Sequence, residues 1–250
     1  DVGADNVYDV TVSVSDGVNP DVTQAVAITV TDINESPTIT SGAAFNVAEN
    51  TTPVTTVTGT DPEGVALTFG IAGGVDAALF SINTATGALS FIAAPNFEAP
   101  GDVGADNVYD VTVSVSDGVN PAVTQAVAVT VTDVNEAPTD IALSSNSIPE
   151  NAGTNAVVGT LTASDPDAGD SFTFTLPVGV DDNSAFNISS SSLRANASFD
   201  FENISSYLVT VRVTDALGLT FDKQFAISVT DVAEVSYNVT GGLLTVTGTG

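Results

Sequence analysis

Five acidic motifs recur in a fixed order along this chain, and their residue types point to one chemistry. A Glu-Asn pair comes first, at Glu49-Asn50 and again at Glu150-Asn151. Next come Asp61-Pro62-Glu63 and Asp165-Pro166-Asp167. The third motif is Asn96-Phe97-Glu98, then Asp200-Phe201-Glu202. A single strand-end acid follows, Asp117 and then Asp215. Linker acids close the set: Asp32-Ile33-Asn34-Glu35, Asp133-Val134-Asn135-Glu136 and a degenerate Asp231-Val232-Ala233-Glu234. These donors are hard oxygens, which calcium gathers roughly six to eight at a time from carboxylates and carbonyls. Asp-Pro and Asp-Gly steps are also ordinary turn chemistry that needs no ion. Turn propensity alone does not reproduce the same order twice.

Composition narrows the alternatives. The chain of 250 residues has a formal charge of −28, with Arg194, Arg212 and Lys223 its only basic residues. Nucleic acid and anionic membranes need positive charge at the contact, so neither is an expected partner. There is no Cys and no His. That removes zinc sites, thiol chemistry, disulfides and histidine bases. A carboxylate-pair hydrolase is the one catalytic chemistry left. The acids fall at domain ends, where no deep cleft is expected, so the chain is read as no enzyme. The absence of disulfides suits a bacterial exported protein. Asn-x-Ser/Thr sequons arise readily in so Thr- and Ser-rich a chain.

The elements that must hold these acids are strands. Tyr109–Ser116, Ala126–Val131 and Leu208–Val213 alternate apolar and polar residues, the pattern of a half-buried strand. Turn residues separate the runs, as at Gly73-Gly74, Asn83–Gly87 and Asp117-Gly118. For the middle domain, strands are expected near 39–47, 54–60, 66–72, 79–83, 87–92, 107–116 and 123–133. The core is expected to hold Val57, Leu67, Phe69, Ile71, Phe80, Ile82, Leu89, Phe91, Tyr109, Val111, Val113, Val115, Val127, Val129 and Val131. In the next domain it is expected to hold Leu161, Phe172, Phe174, Phe186, Ile188, Leu193, Tyr207, Val209, Val211, Val213, Phe225, Ile227 and Val229. Phe97 and Phe201 read as core plugs beneath the third motif.

An internal repeat sets the domain count. Residues 1–37 reappear at 102–138 with four changes: Asp21/Ala122, Ile28/Val129, Ile33/Val134 and Ser36/Ala137. A repeat of that length is a domain and not a solenoid unit. Residues 1–36 read as the C-terminal part of a truncated repeat, and 37–137 and 138–235 as full repeats. Residues 236–250 read as the start of a further β or glycine–aspartate (RTX-like) region. The fold class expected is all-β: tandem seven-stranded antiparallel β-sandwiches in a linear array.

The ordered set resembles the cadherin repeat. That family shows a Glu-Asn motif, an Asp-x-Asp motif, an Asp-Arg-Glu-like motif, a strand-end Asp and an Asp-x-Asn-Asp-Asn-x-Pro linker. The linker here, Asp-x-Asn-Glu-x-Pro, is one residue shorter and is similar to the version in large secreted bacterial adhesins. The resemblance implies calcium ions at domain junctions. For the central junction it implies Glu49, Asn96 and Glu98, then Asp133, Asn135 and Glu136, then Asp165, Asp167 and Asp215. Upstream it implies Asp32, Asn34 and Glu35 with Asp61, Glu63 and Asp117. Downstream it implies Glu150, Asp200, Glu202, Asp231 and Glu234, although Ala233 replaces the linker Asn and no Pro follows. Asn96 stands where the family carries Asp.

The function implied is that of calcium-rigidified extender repeats of a bacterial cell-surface or secreted adhesin. Its partners would be calcium ions, adjacent repeats of the same chain, and host or neighbour-cell surface glycans or proteins. The location implied is extracellular, at the bacterial cell surface. The alternative is a homophilic or carbohydrate-binding adhesion module, which the small number of aromatics at non-core positions favours less.

Overall fold

In a computed structural model of the chain, the structure describes residues 3–240 and 243–249. Asp1 and Val2 of the first repeat segment, and Gly241, Gly242 and Gly250 of the glycine-rich tail, lie outside the described residues. Two compact units are present, Asp1–Thr132 and Asp133–Gly250. Among the described residues there is no α-helix, only single 3-10 turns at Ala77–Leu79 and Asn183–Ala185. Among the described residues no helix is long and apolar enough to cross a membrane.

Unit 1 opens with an antiparallel hairpin of β1 (Val7–Val14) and β2 (Val22–Thr29). The strands that follow are β3 (Thr38–Ile39), β4 (Ala44–Ala48), β5 (Pro53–Thr56), β6 (Gly59–Thr60) and β7 (Thr68–Gly73). The unit is completed by β8 (Phe80–Ile82), β9 (Ala88–Phe91), β10 (Val108–Ser116) and β11 (Val123–Thr132). One sheet has the order β4-β11-β10-β7, a second β5-β9-β8, and β3 pairs with β6. Val111, Val113, Val115, Val127, Val129 and Val131 of the first sheet pack against Phe80, Leu89 and Phe91 of the second.

Two expected strands turn out to be broken. The run expected at 39–47 divides, because Thr38 and Ile39 pair with β6 while Ala44–Ala48 pair with β11. The run expected at 54–60 divides in the same way between β9 and β3. A chain that changes sheets closes both open edges of a sandwich with one segment. Gly59 permits the crossing, since a Cβ there would lie 3.0 Å from the Thr38 carbonyl oxygen. The switch also makes β4 parallel to β11, an exception to the antiparallel pairing expected throughout.

Unit 2 repeats the plan. Its strands are β12 (Asp140–Leu143), β13 (Ser147–Pro149), β14 (Val157–Ser164), β15 (Thr173–Thr175), β16 (Phe186–Ser189) and β17 (Ser192–Ala195). Next come β18 (Ser206–Thr214), β19 (Thr220–Thr230), β20 (Glu234–Thr240) and β21 (Leu243–Thr249). The sheets are β12-β14-β17-β16 and β13-β19-β18-β15, with a separate β20–β21 hairpin. β13 runs parallel to β19, as β4 does to β11.

Every residue expected in the two cores is buried or packs against the buried cluster. Phe97 and Phe201 do pack there. Each core holds an aromatic trio. In unit 1 Phe80 stacks on Phe91 at 4.5 Å, and Phe91 meets Tyr109 edge-on at 5.1 Å. In unit 2 Phe199 takes the part of Phe91, 4.5 Å from Tyr207 and 5.3 Å from Phe186. Phe91 lies on a strand, whereas Phe199 lies in the loop after β17. Ring volume was kept while its sequence position moved, as packing density requires.

Candidate metal centre

The acids sit where strands end, and the linker preceding each sandwich lies against them. In unit 1, Asp117 directly follows β10. Its Oδ1 accepts the N–H groups of Val119 and Asn120, each at 2.9 Å, so the carboxylate caps its own turn. Its Oδ2 accepts the Asn34 side-chain amide at 2.7 Å. That amide also donates to the Glu35 carbonyl at 3.0 Å, and Asn120 donates back to the Asn34 carbonyl at 3.0 Å. The Glu35 N–H reaches Glu63 Oε2 at 3.3 Å. Asp32, Glu35 and Glu63 each place a carboxylate oxygen within 4.8 Å of the others.

Unit 2 builds the same arrangement from different residues. Asp215 Oδ1 accepts the N–H groups of Leu217, Gly218 and Leu219. Its Oδ2 accepts the Asn135 amide at 2.8 Å, and that amide donates to the Glu136 carbonyl at 3.0 Å. The Glu136 N–H reaches Asp167 Oδ2 at 2.8 Å. Asp165, Asp170 and Asp215 bring oxygens within 4.8 Å of one another, and Asp133 and Asp167 do the same. An open cavity of about 440 Å³ is lined by Asp133, Asn135, Asp167 and Asp170 among others.

Electrostatics sort these acids into two kinds. Asp117 titrates below its ordinary value, held down by the Val119 N–H and then by Asn34. Burial is the largest influence on Asp215 and pushes it up. The amide of Asn135 and the backbone N–H groups of Leu219, Gly218 and Leu217 outweigh it and leave Asp215 lowered. Asp165 is raised, first by burial and then by repulsion from Asp167, Asp170 and Asp215. Glu63 is raised by sharing a hydrogen bond with the Glu35 carboxyl, then by burial and by repulsion from Glu35 and Asp61. One acid of each group, Asp117 or Asp215, is thus held as an anion by hydrogen bonds, while one neighbour, Glu63 or Asp165, resists ionisation.

A second constellation lies at the far end of each sandwich. Glu150 is buried and accepts the N–H groups of Phe201 at 3.0 Å and Val232 at 2.8 Å. Those bonds, Val232 first, lower its titration. Glu202 and Asp231 complete a triple within 4.8 Å. The backbone N–H of Glu202 lowers its own carboxyl, but burial and repulsion from Glu150, Asp231 and Asp200 leave it raised. In unit 1, Glu49 is buried and accepts the Phe97 N–H at 2.9 Å, with an oxygen of Glu98 within 4.8 Å. Asp200 lies outside the Glu150 triple, and its Oδ1 caps the turn at Asn203. Asn96 caps the equivalent turn at Ala99. The Asn151 amide holds Glu234 Oε1 at 2.8 Å.

Sequence reasoning missed Asp170. The signal was present, since Asp165-Pro166-Asp167-Ala168-Gly169-Asp170 spaces three acids through one glycine turn. It also missed the buried acids Asp76 and Asp102, which do local work. Asp76 accepts the N–H groups of Val103 and Asp110, and Asp102 accepts those of Asp106 and Asn107.

The donor set fits a hard divalent cation such as calcium. Asp61 Oδ2, Asp165 Oδ2 and Asp170 Oδ2 are buried and have no hydrogen-bond partner. An ionised oxygen removed from water without a partner is costly, and a coordinated cation meets that need. No nitrogen or sulfur donor competes, because the chain has neither His nor Cys.

No family model matches the chain. Among solved structures it is similar to the first two extracellular domains of human protocadherin-24, with 21% identity and a TM-score of 0.58 over 80% of this chain and 100% of that one. It is similar to PcdhgB3 EC1-4 with 24% identity and a TM-score of 0.65, over 93% of this chain and 59% of that one. Against the protocadherin gamma B4 extracellular domain the figures are 22% and 0.62, over 96% of this chain and 40% of that one. At such identities the likeness concerns the fold, which is cadherin-like.

Proposed function

We propose that the chain is a calcium-binding stretch of extender repeats from an extracellular adhesin. The domains are read as a truncated repeat at 1–36, full repeats at 37–137 and 138–235, and the start of a further β or RTX-like region at 236–250. The observation that carries this reading is a construction made twice. An Asn of the linker, Asn34 or Asn135, hydrogen-bonds a turn-capping Asp, Asp117 or Asp215. The next linker residue reaches the acid of the Asp-Pro-acid motif. A buried carboxylate oxygen beside it stays without a partner.

When bound, calcium supplies charge neutralisation and coordination at these acids. The chain's own residues do the rest. Asn34 and Asn135 orient the capping carboxylates and tie each linker to the sandwich that follows. Glu49 and Glu150 tie the third motif to the first. A linker fastened in this way transmits force and direction along a chain of domains, which is what a spacer requires. The assignment as a spacer without enzymatic activity rests on this mechanical logic and on a sequence with neither His nor Cys. The bacterial, secreted setting rests on the form of the linker and on the lack of disulfides.

Calorimetric titration of the chain with calcium, paired with small-angle scattering in calcium and in chelator, tests the reading. Saturable binding, lost when Asp61 and Asp165 are both changed to Asn, is the expected result. A long, narrow particle in calcium that broadens in chelator is expected beside it. Absence of calcium binding at millimolar concentration refutes the metal assignment, and scattering unaffected by calcium refutes the stiffening.

A further inference from the structure

The hairpin β1–β2 and the hairpin β10–β11 have nearly one sequence and opposite surroundings. Across residues 7–29 and 108–130 they differ only at Asp21/Ala122 and Ile28/Val129. Their registers are the same: Tyr8 opposes Ile28 and Val10 opposes Val26, as Tyr109 opposes Val129 and Val111 opposes Val127. Yet Tyr8 is 44% exposed where Tyr109 is 2%, Val12 is 50% where Val113 is 0%, and Val14 is 69% where Val115 is 0%. Apart from the half-buried Val26, the apolar face of β1–β2 lies open. Both outer edges are unpaired too, since the two strands form a sheet by themselves. An isolated two-stranded hairpin is marginal in water, and open apolar edges invite pairing.

The copy shows what covers such a face. β10 pairs antiparallel with β7, placing Val113 opposite Ile71 and Val115 opposite Phe69. β11 pairs parallel with β4, placing Val129 opposite Phe45 and Val131 opposite Val47. Phe80, Leu89 and Phe91 of the second sheet then close over the valines. We propose that β1–β2 is the acceptor half of a divided sandwich, and that its occupant is a polypeptide segment patterned like residues 37–101. That segment supplies one antiparallel strand along β1, one parallel strand along β2, and a second sheet over Tyr8, Val10, Val12 and Val14. Two positions of difference within the hairpin do not alter this fit. Ile28 replaces a valine of the same face, and Asp21 lies in the turn before β2. The inference does not depend on calcium.

The test joins a second copy of residues 37–101 directly ahead of Asp1 in the full chain and follows amide hydrogen exchange by mass spectrometry. Asp21 and Ile28 give the segment 21–28 a mass distinct from its copy, so the two hairpins are read separately. Exchange over 21–28 is expected to slow by about a hundredfold or more, toward the rate of the covered copy. Val12→Asp in the lengthened chain is expected to abolish that protection and leave the segment 122–129 unchanged. Unaltered exchange over 21–28 in the lengthened chain overturns the proposal. Protection in the original chain that grows with protein concentration also overturns it, because a second copy of the chain is then the occupant.

Discussion

Changing Asp165 to Asn separates the folding role of the unit 2 acids from their binding role. The substitution keeps the Oδ1 acceptor that takes the Asp167 N–H at 3.0 Å. It removes the charge that Asp167, Asp170 and Asp215 oppose, and it neutralises a buried oxygen with no partner. Leaving a buried polar group unsatisfied costs about 1–3 kcal/mol, so recovery of about 1 kcal/mol is expected in chelator. For a domain of about 100 residues that raises the melting temperature by roughly 4 °C. In calcium the order reverses. At a free concentration of about 100 Kd the native chain gains about 2.7 kcal/mol, roughly 10 °C. If the lost ligand weakens binding about a hundredfold, the variant gains only about 0.4 kcal/mol at the same concentration. Differential scanning calorimetry of both proteins, in chelator and in calcium, reads the crossing directly. Equal calcium-induced shifts for the two proteins would falsify the ligand assignment. A variant that melts lower in chelator would show that the carboxylate is not a folding liability.

Other perturbations probe the same architecture. In chelator the melting temperature is expected to peak near pH 4. Asp165, whose value is raised above 3.8, and Glu63 and Glu202, raised above 4.5, contribute stability at low pH that is lost as they ionise. Asp117, Asp215 and Glu150 are lowered, so their contribution holds at higher pH and is lost as pH falls through their depressed values. Saturating calcium should remove the fall on the alkaline side, and melts between pH 3 and 8 with and without calcium check both limbs. Asn135→Ala removes the amide that joins Asp215 to the Glu136 carbonyl, so limited proteolysis should cut at 133–137 several-fold faster; an unchanged rate refutes the fastening role. Gly87→Ala forces a side chain into φ +75° against the Val57 carbonyl oxygen and should cost at least about 2 kcal/mol in unit 1. Gly118→Ala, at φ +83° with open space around it, should cost about 1 kcal/mol, and equal losses in denaturant melts would refute the close-approach argument.

Period-two runs of Val and Thr determined that the chain is built of strands, and the order of the acids determined which strand ends carry charge. Both are local properties that the backbone repeat writes into sequence. The repeat also located every core valine of β10 and β11. Other features are contacts between distant segments and were not legible. The change of sheet at residues 40–43 depends on where β6 and β11 lie, not on the residues that cross. Asp170 joins Asp165 and Asp215 only because the glycine turn folds back toward the end of β18. Which carboxylate oxygens stay bare depends on which backbone N–H groups the turns happen to aim at them. The two hairpins make the division plain. One sequence, written at 7–29 and again at 108–130, determines the same strands, the same turn and the same register in both places. Whether its valines form a core or an open face is decided only by what packs across them, because burial belongs to a pair of surfaces and no single segment encodes its partner.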